Sequence, residues 1–203
     1  MAEQLYISFK SSVNNNDWFQ GNTGTDEAMA QTFTPDDTIT CTAVEVVIGN
    51  QTGETDNVVC SIQTTSSGNP TGTLAHANAT VTKAGADIAS YSSISNNTYK
   101  FTFPGTFSLT ASTTYALVLE KSGSRVLSSY AWLILTTNPY SGGDYRSRNS
   151  GSWGAGSEGG DAAFGVYREL SSIKEISGVA QASVKKLSGV ALASIKKVSG
   201  VAN

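Results

Sequence analysis

The chain has 203 residues, room for one domain of ordinary size plus an appendage. Charged residues are only 14% of it, where about 25% is usual, and Ser, Thr, Asn and Gly fill the gap, which argues against long helices and for many short strands. The formal charge of -3 is uneven: residues 171–203 carry +4 and the preceding 170 carry -7, an acidic body that repels phosphate, so no nucleic-acid partner is expected.

The first 27 residues read as an N-terminal arm. Leu5-Tyr6-Ile7-Ser8-Phe9 suits a strand, while Asn14-Asn15-Asn16-Asp17, Gly21 and Gly24 read as loop. A regular pattern begins at Ala28. Ala30–Phe33 is a short strand stopped by Thr34-Pro35-Asp36-Asp37. Ile39–Ile48 is the clearest strand, with Val44, Val46 and Ile48 on one face. The run Asn50–Asp56 is expected to turn it back into Val58–Ile62 as a hairpin, and Ser67–Gly72 reads as another loop. Further strands are predicted at Thr98–Phe103, Tyr115–Leu119, Ala131–Leu135 and Ala162–Tyr167, each bounded by Gly, Pro, Asn or Ser. Around eight to ten such strands without intervening helices predict an antiparallel β-sandwich of jelly-roll type over residues 28–170.

Residues 171–203 differ in kind. Ser-Gly-Val-Ala occurs at 177–180, 188–191 and 199–202, a period of 11. An 11-residue period also fits a right-handed helical coiled coil. However, the large apolar residues Ile176, Val179, Val184 and Leu187 are spaced 3, 5 and 3 apart, and each unit holds a glycine. Short strands joined by Ser-Gly turns are the expected form, with a helix or a disordered tail as the alternatives. Ile176, Val179, Val184, Leu187, Val190, Ile195, Val198 and Val201 are the expected oligomerisation or attachment positions, because a fixed short period seldom buries a core alone. Three chains around one axis is the expected assembly.

Two cysteines make no disulfide framework. In a hairpin turning near Thr52, Cys41 would lie opposite about Thr64 and not Cys60, so two buried free thiols are expected. The N-terminal residues show no basic segment followed by an apolar one, and no apolar run approaches the roughly 18 residues of a membrane span. No export signal and no membrane span are therefore expected.

Catalytic chemistry finds little support. His76 is the single histidine, so zinc has no ligand set and a Ser-His-Asp hydrolase no nucleophile elbow. Gly154-Ala155-Gly156-Ser157-Glu158-Gly159 matches a dinucleotide fingerprint in letters only, since a Ser/Gly loop precedes it and strand-like residues follow. No cofactor is expected; a structural calcium on loop carboxylates stays open, but no Asp-x-Asp-x-Asp-Gly loop specifies one. Aromatic residues set among polar ones are more suggestive. Trp18, Tyr140, Asp144, Tyr145 and Trp153 are candidate glycan-binding residues, because sugar faces stack on rings while polar groups bond the hydroxyls. The competing reading makes the tyrosines loop braces.

The ordered series Ala30-Gln31-Thr32-Phe33-Thr34-Pro35, Gly68-Asn69-Pro70-Thr71-Gly72, Phe107–Ala111 leading to Tyr115–Leu119, Asn138–Gly143 and Ala162–Tyr167 resembles the jelly-roll, carbohydrate-binding-like domains of phage structural proteins and bacterial surface proteins. The resemblance covers residues 28–168. The Ser-Gly-Val-Ala tail is similar to short repeats at the ends of phage virion proteins, with Ser-Gly where Asn-Gly is common, which leaves the turn type open. The resemblance implies a non-enzymatic virion component, such as a capsid decoration, head-fibre or tail-fibre-like protein. It would assemble in the host cytoplasm, be displayed on the virion, and partner itself, other virion proteins and possible glycans. A bacterial surface or exported carbohydrate-binding module is the alternative.

Overall fold

In the computed structural model the protein is all-β. The structure describes residues 2–9, 15–19, 27–50, 55–91, 97–123, 130–135, 140–156 and 160–170, and in the tail residues 175–176, 179–180, 186–187 and 190–191. The chain divides into two units, Leu5–Arg168 and a second that joins Met1–Gln4 to Glu169–Asn203. No helix among the described residues is long and apolar enough to cross a membrane.

The strands are β1 (Glu3–Phe9), β2 (Asn15–Phe19), β3 (Ala28–Phe33), β4 (Ile39–Asn50), β5 (Val58–Ser66), β6 (Asn69–Leu74), β7 (Thr80–Lys83), β8 (Thr98–Leu109), β9 (Tyr115–Lys121), β10 (Tyr130–Leu135), β11 (Tyr145–Asn149), β12 (Ser152–Ala155), β13 (Asp161–Ala162) and β14 (Phe164–Glu169). They form two seven-stranded sheets. In the first, β4 is the centre: β8 pairs along one edge, while β14 and β10 share the other. In the second the order is β12-β11-β3-β9-β5-β6, with β7 also on β5. Packed face to face, the sheets make the expected antiparallel β-sandwich.

The core follows from the alternation. Val44, Val46 and Ile48 of β4, Leu117 and Leu119 of β9, Cys60 and Ile62 of β5, and the large rings of Trp132, Phe33 and Phe164 are all fully buried in one cluster. Trp132 also donates its indole N–H to the carbonyl of Ala163 at 2.9 Å, so the ring is satisfied as well as buried. Cys41 and Val44 both point inward despite odd spacing, because the register against β8 shifts between Cys41 and Ala43.

Several expectations need correction. β4 and β5 do not form a hairpin: they lie in different sheets. Adjacency in sequence favoured the hairpin, but the strands pair with different neighbours, β4 with β8, β10 and β14 and β5 with β6, β7 and β9, and bury residues in one shared core. The free, buried state of Cys41 and Cys60 was expected and is found, though the hairpin argument for it does not hold. Burial pushes the Cys41 thiol up to about 12 and Cys60 higher still, which makes both poor nucleophiles.

The stretch read as loop at Asn15–Asp17 lies in β2, which pairs with β10 from Phe19↔Tyr130 to Asn15↔Ile134. Polar side chains did not stop a strand that joins an existing edge. Ser67–Gly72 is loop only at Ser67-Gly68; Asn69 onward is β6, where Pro70 is tolerated at the sheet edge. Ser152–Ala155, at the start of the glycine-rich run, is β12. Both hairpins turn on Ser-Gly with positive φ at each residue, 49° and 76° at Ser67-Gly68 and 50° and 78° at Ser150-Gly151. That is the type I′ signature, whose twist matches the flanking strands.

The second unit holds two short pairs. β15 (Glu175–Ile176) pairs with β16 (Val179–Ala180), and β17 (Lys186–Leu187) with β18 (Val190–Ala191), both antiparallel. Ile176 lies opposite Val179 and Leu187 opposite Val190, with only Ser-Gly between the partners. The tail is thus β-structured where it is described, with one strand pair on either side of 177–178 and one on either side of 188–189. Val184, Ile195, Val198 and Val201 lie outside the described residues.

Candidate functional site

An open cleft of about 450 Å³ lies where three distant segments converge: residues 6–9 of β1, the β3–β4 connection at Thr34 and Asp36, and residues 140–142. Its size is that of a small-ligand site. Each wall is fixed by a specific contact. The Tyr140 ring packs against Phe9 with centroids 4.6 Å apart and meets Phe164 edge-on at 5.4 Å. Its hydroxyl accepts the Thr34 N–H at 3.1 Å and donates to the Thr34 carbonyl at 3.3 Å. The Tyr6 hydroxyl accepts the Asp37 N–H at 2.9 Å, and the Arg168 guanidinium lies 4.7 Å from the Tyr6 ring centre.

Beneath the cleft sits a buried polar network. The Asp161 carboxylate, fully buried, accepts the Tyr140 N–H at 2.8 Å and the Gln31 amide at 2.9 Å, while Gln31 Oε1 accepts the Ala162 N–H at 2.7 Å. Burial pushes the Asp161 carboxyl above its ordinary value, and the two accepted hydrogen bonds oppose this only in part. Burial likewise raises the Tyr140 phenol; its bond to Thr34 opposes the shift, and the negative charges of Asp36 and Asp161 add to it. The neighbouring glycines are required by close approach. A Cβ on Gly143 would collide with the Thr32 carbonyl, and one on Gly142 would sit 2.5 Å from the Tyr140 oxygen.

Asp36 stands apart. It is exposed, and no hydrogen bond or ion pair of its carboxylate is found among the described residues. Asp37, beside it, meets Arg168 at 3.7 Å.

The five candidate glycan residues do not come together. Tyr140 forms a wall of the cleft. Asp144 braces the same connection through backbone bonds to Thr32 and pairs with Arg146 at 2.9 Å. Tyr145 lies opposite Gln31 with its ring in the core, 3% exposed. Trp153 is on the outer face of the second sheet, packed over Ala28, Ala30, Ala116 and Val118 with the Arg148 guanidinium 5.5 Å from its ring centre. Arg148 there bridges Glu27 at 3.2 Å and Glu120 at 2.9 Å. Trp18 lies in β2 opposite Ala131; its side chain is outside the described residues.

Sequence reasoning missed Tyr6, Phe9 and Asp36 as cleft residues. Tyr6 and Phe9 were placed in one expected strand, but nothing within that strand shows what it meets. His76 has a local role: its Nδ1 accepts the Asn78 N–H at 3.0 Å and its ring stacks on Phe107. Among the described residues no group of three His, Cys, Asp or Glu is placed to hold a metal ion. Comparison with known proteins found no matching family model, no matching curated protein and no matching solved structure.

Proposed function

We propose that the protein is a non-enzymatic structural component of a bacteriophage virion, a capsid decoration, head-fibre or tail-fibre-like protein. Its tail repeats join copies of the chain, three around an axis, or fasten them to other virion proteins, while the sandwich is displayed outward. The observation that carries this reading is the pair of hairpins at an 11-residue interval, Ile176↔Val179 and Leu187↔Val190. Strand pairs two residues long are too short to be stable alone. Repeated at a fixed period with apolar residues at each step, they gain a core by stacking on equivalents from other chains.

The experiment is removal of residues 171–203, read by sedimentation for mass and by incorporation into particles. Loss of oligomers or of attachment is expected. Unchanged mass together with unchanged incorporation would end the proposal.

A second reading, a glycan-binding or adhesion module of a bacterial surface, is favoured by the aromatic cleft at Tyr6, Phe9 and Tyr140. Binding to an immobilised glycan panel should then fall with Tyr6→Ala and persist with Trp153→Ala. The reverse result would move the site to the outer face of the second sheet.

A further inference from the structure

We infer that the cleft takes an amino sugar, with the protonated amine against Asp36 and the ring against Tyr6 and Phe9. This rests on the glycan-binding reading above and narrows it to a cationic ligand.

The polar groups of the cleft decide the charge. Tyr6 and Tyr140 each present a hydroxyl already occupied by backbone, Tyr6 by the Asp37 N–H and Tyr140 by both polar groups of Thr34. The Thr34 hydroxyl is 2.9 Å from that of Thr114. What remains to bind a ligand is the Asp36 carboxylate and the hydroxyls of Ser8 and Ser141, and of these only Asp36 carries charge. An ionised carboxylate only accepts hydrogen bonds, so the group it meets must donate, and an ammonium donates three while cancelling the charge. The Arg168 guanidinium is taken up by the Tyr6 ring and Asp37, and residues 1–170 carry a net -7. The field of the body therefore draws cations and repels anions.

The ring surfaces decide the rest. Tyr6 and Phe9 are partly exposed on the wall formed by β1, and aromatic faces receive both the C–H face of a sugar ring and a neighbouring cation. A lone carboxylate without further acidic or histidine ligands does not make a metal site.

The test titrates the full chain with glucosamine, N-acetylglucosamine, glucose and methylammonium in weakly acidic buffer, where amines are protonated. Amide and side-chain chemical shifts report both affinity and location. Glucosamine is expected to bind at least about 5-fold more tightly than the other three probes, with shifts centred on Tyr6, Phe9 and Tyr140. Asp36→Asn should abolish that preference without moving the melting temperature.

Equal binding of glucosamine and its N-acetyl form, or a preference that survives Asp36→Asn, overturns the amine inference and leaves the glycan reading standing. Methylammonium binding as tightly as glucosamine overturns the sugar half and the glycan reading with it. No shift in the cleft with any probe overturns both.

Discussion

The sandwich and the tail both place Ser-Gly between paired antiparallel strands, in different surroundings. Ser67-Gly68 and Ser150-Gly151 close hairpins whose strands run for four to nine residues inside seven-stranded sheets. The Ser-Gly pairs at 177–178 and 188–189 separate strands of two residues each, in two-stranded sheets. In the body a hairpin is held by a core that one chain completes; Trp132, Phe33 and Leu117 need no second copy to be buried. On the reading proposed above, the tail completes its core only with other chains. Ser-Gly thus stands between paired strands both in a sandwich whose core one chain fills and in a tail proposed to need partners.

The largest expected effect tests the self-sufficiency of the sandwich. Trp132→Ala empties the centre of the core and removes the bond to Ala163, a loss of about 3–5 kcal/mol. Chemical denaturation should show the sandwich transition shifted or absent, while mass from sedimentation, if the tail alone drives assembly, should still exceed that of one chain wherever the variant remains soluble.

Next comes the buried network below the cleft. Asp161→Asn replaces one acceptor oxygen with an amide that faces a donor, either the Tyr140 N–H or the Gln31 amide, at a cost of about 1–3 kcal/mol. The wild-type carboxyl is raised in the fold, so its stabilising contribution is present below the ordinary aspartate value and is lost as pH rises through the folded value. Urea midpoints measured across acidic pH should show this decline in the wild type and not in the variant. A variant with the same slope would assign the pH dependence to another group.

Leu187→Ala tests the tail by itself. It removes the large apolar partner of Val190 from a strand pair two residues long, at a cost of about 1–2 kcal/mol per chain. Dissociation of oligomers on dilution should rise by roughly tenfold, and the sandwich melting temperature should not change. A fall in that melting temperature would show that the two regions share stability, against the contrast drawn above.

The smallest effect belongs to the outer face of the second sheet. Arg148→Ala removes ion pairs to Glu27 and Glu120, but the side chain is 30% exposed, so solvent screening holds the loss to about 0.5–1 kcal/mol. Thermal melts at low and high salt should converge for the two proteins at high salt.

Much of the sandwich was legible because its signals are local. Ile39–Ile48 alternates apolar and polar residues, and Ala131–Leu135 is a continuous apolar run, so both mark strands before any partner is known. β2 and β11 were not legible: Asn-Asn-Asp and Arg-Ser-Arg lack the apolar alternation, and they are strands because β10 and β3 offer free edges. Of the candidate site, Tyr140 was visible as an aromatic in a polar loop, whereas Asp36 read as a turn residue and Tyr6 as part of an arm.

By itself the sequence determined the all-β class, the positions of most strands and the repeat of 11, since each depends on side chains within a few residues of one another. The assignment of β4 and β5 to opposite sheets was decided only by tertiary structure, because the pairing edges are set by strands far away in the chain. The cleft was decided there too. It needs residue 6, residue 36 and residue 140 on one surface, and their separation is closed by the packing of the sheets rather than by any local preference.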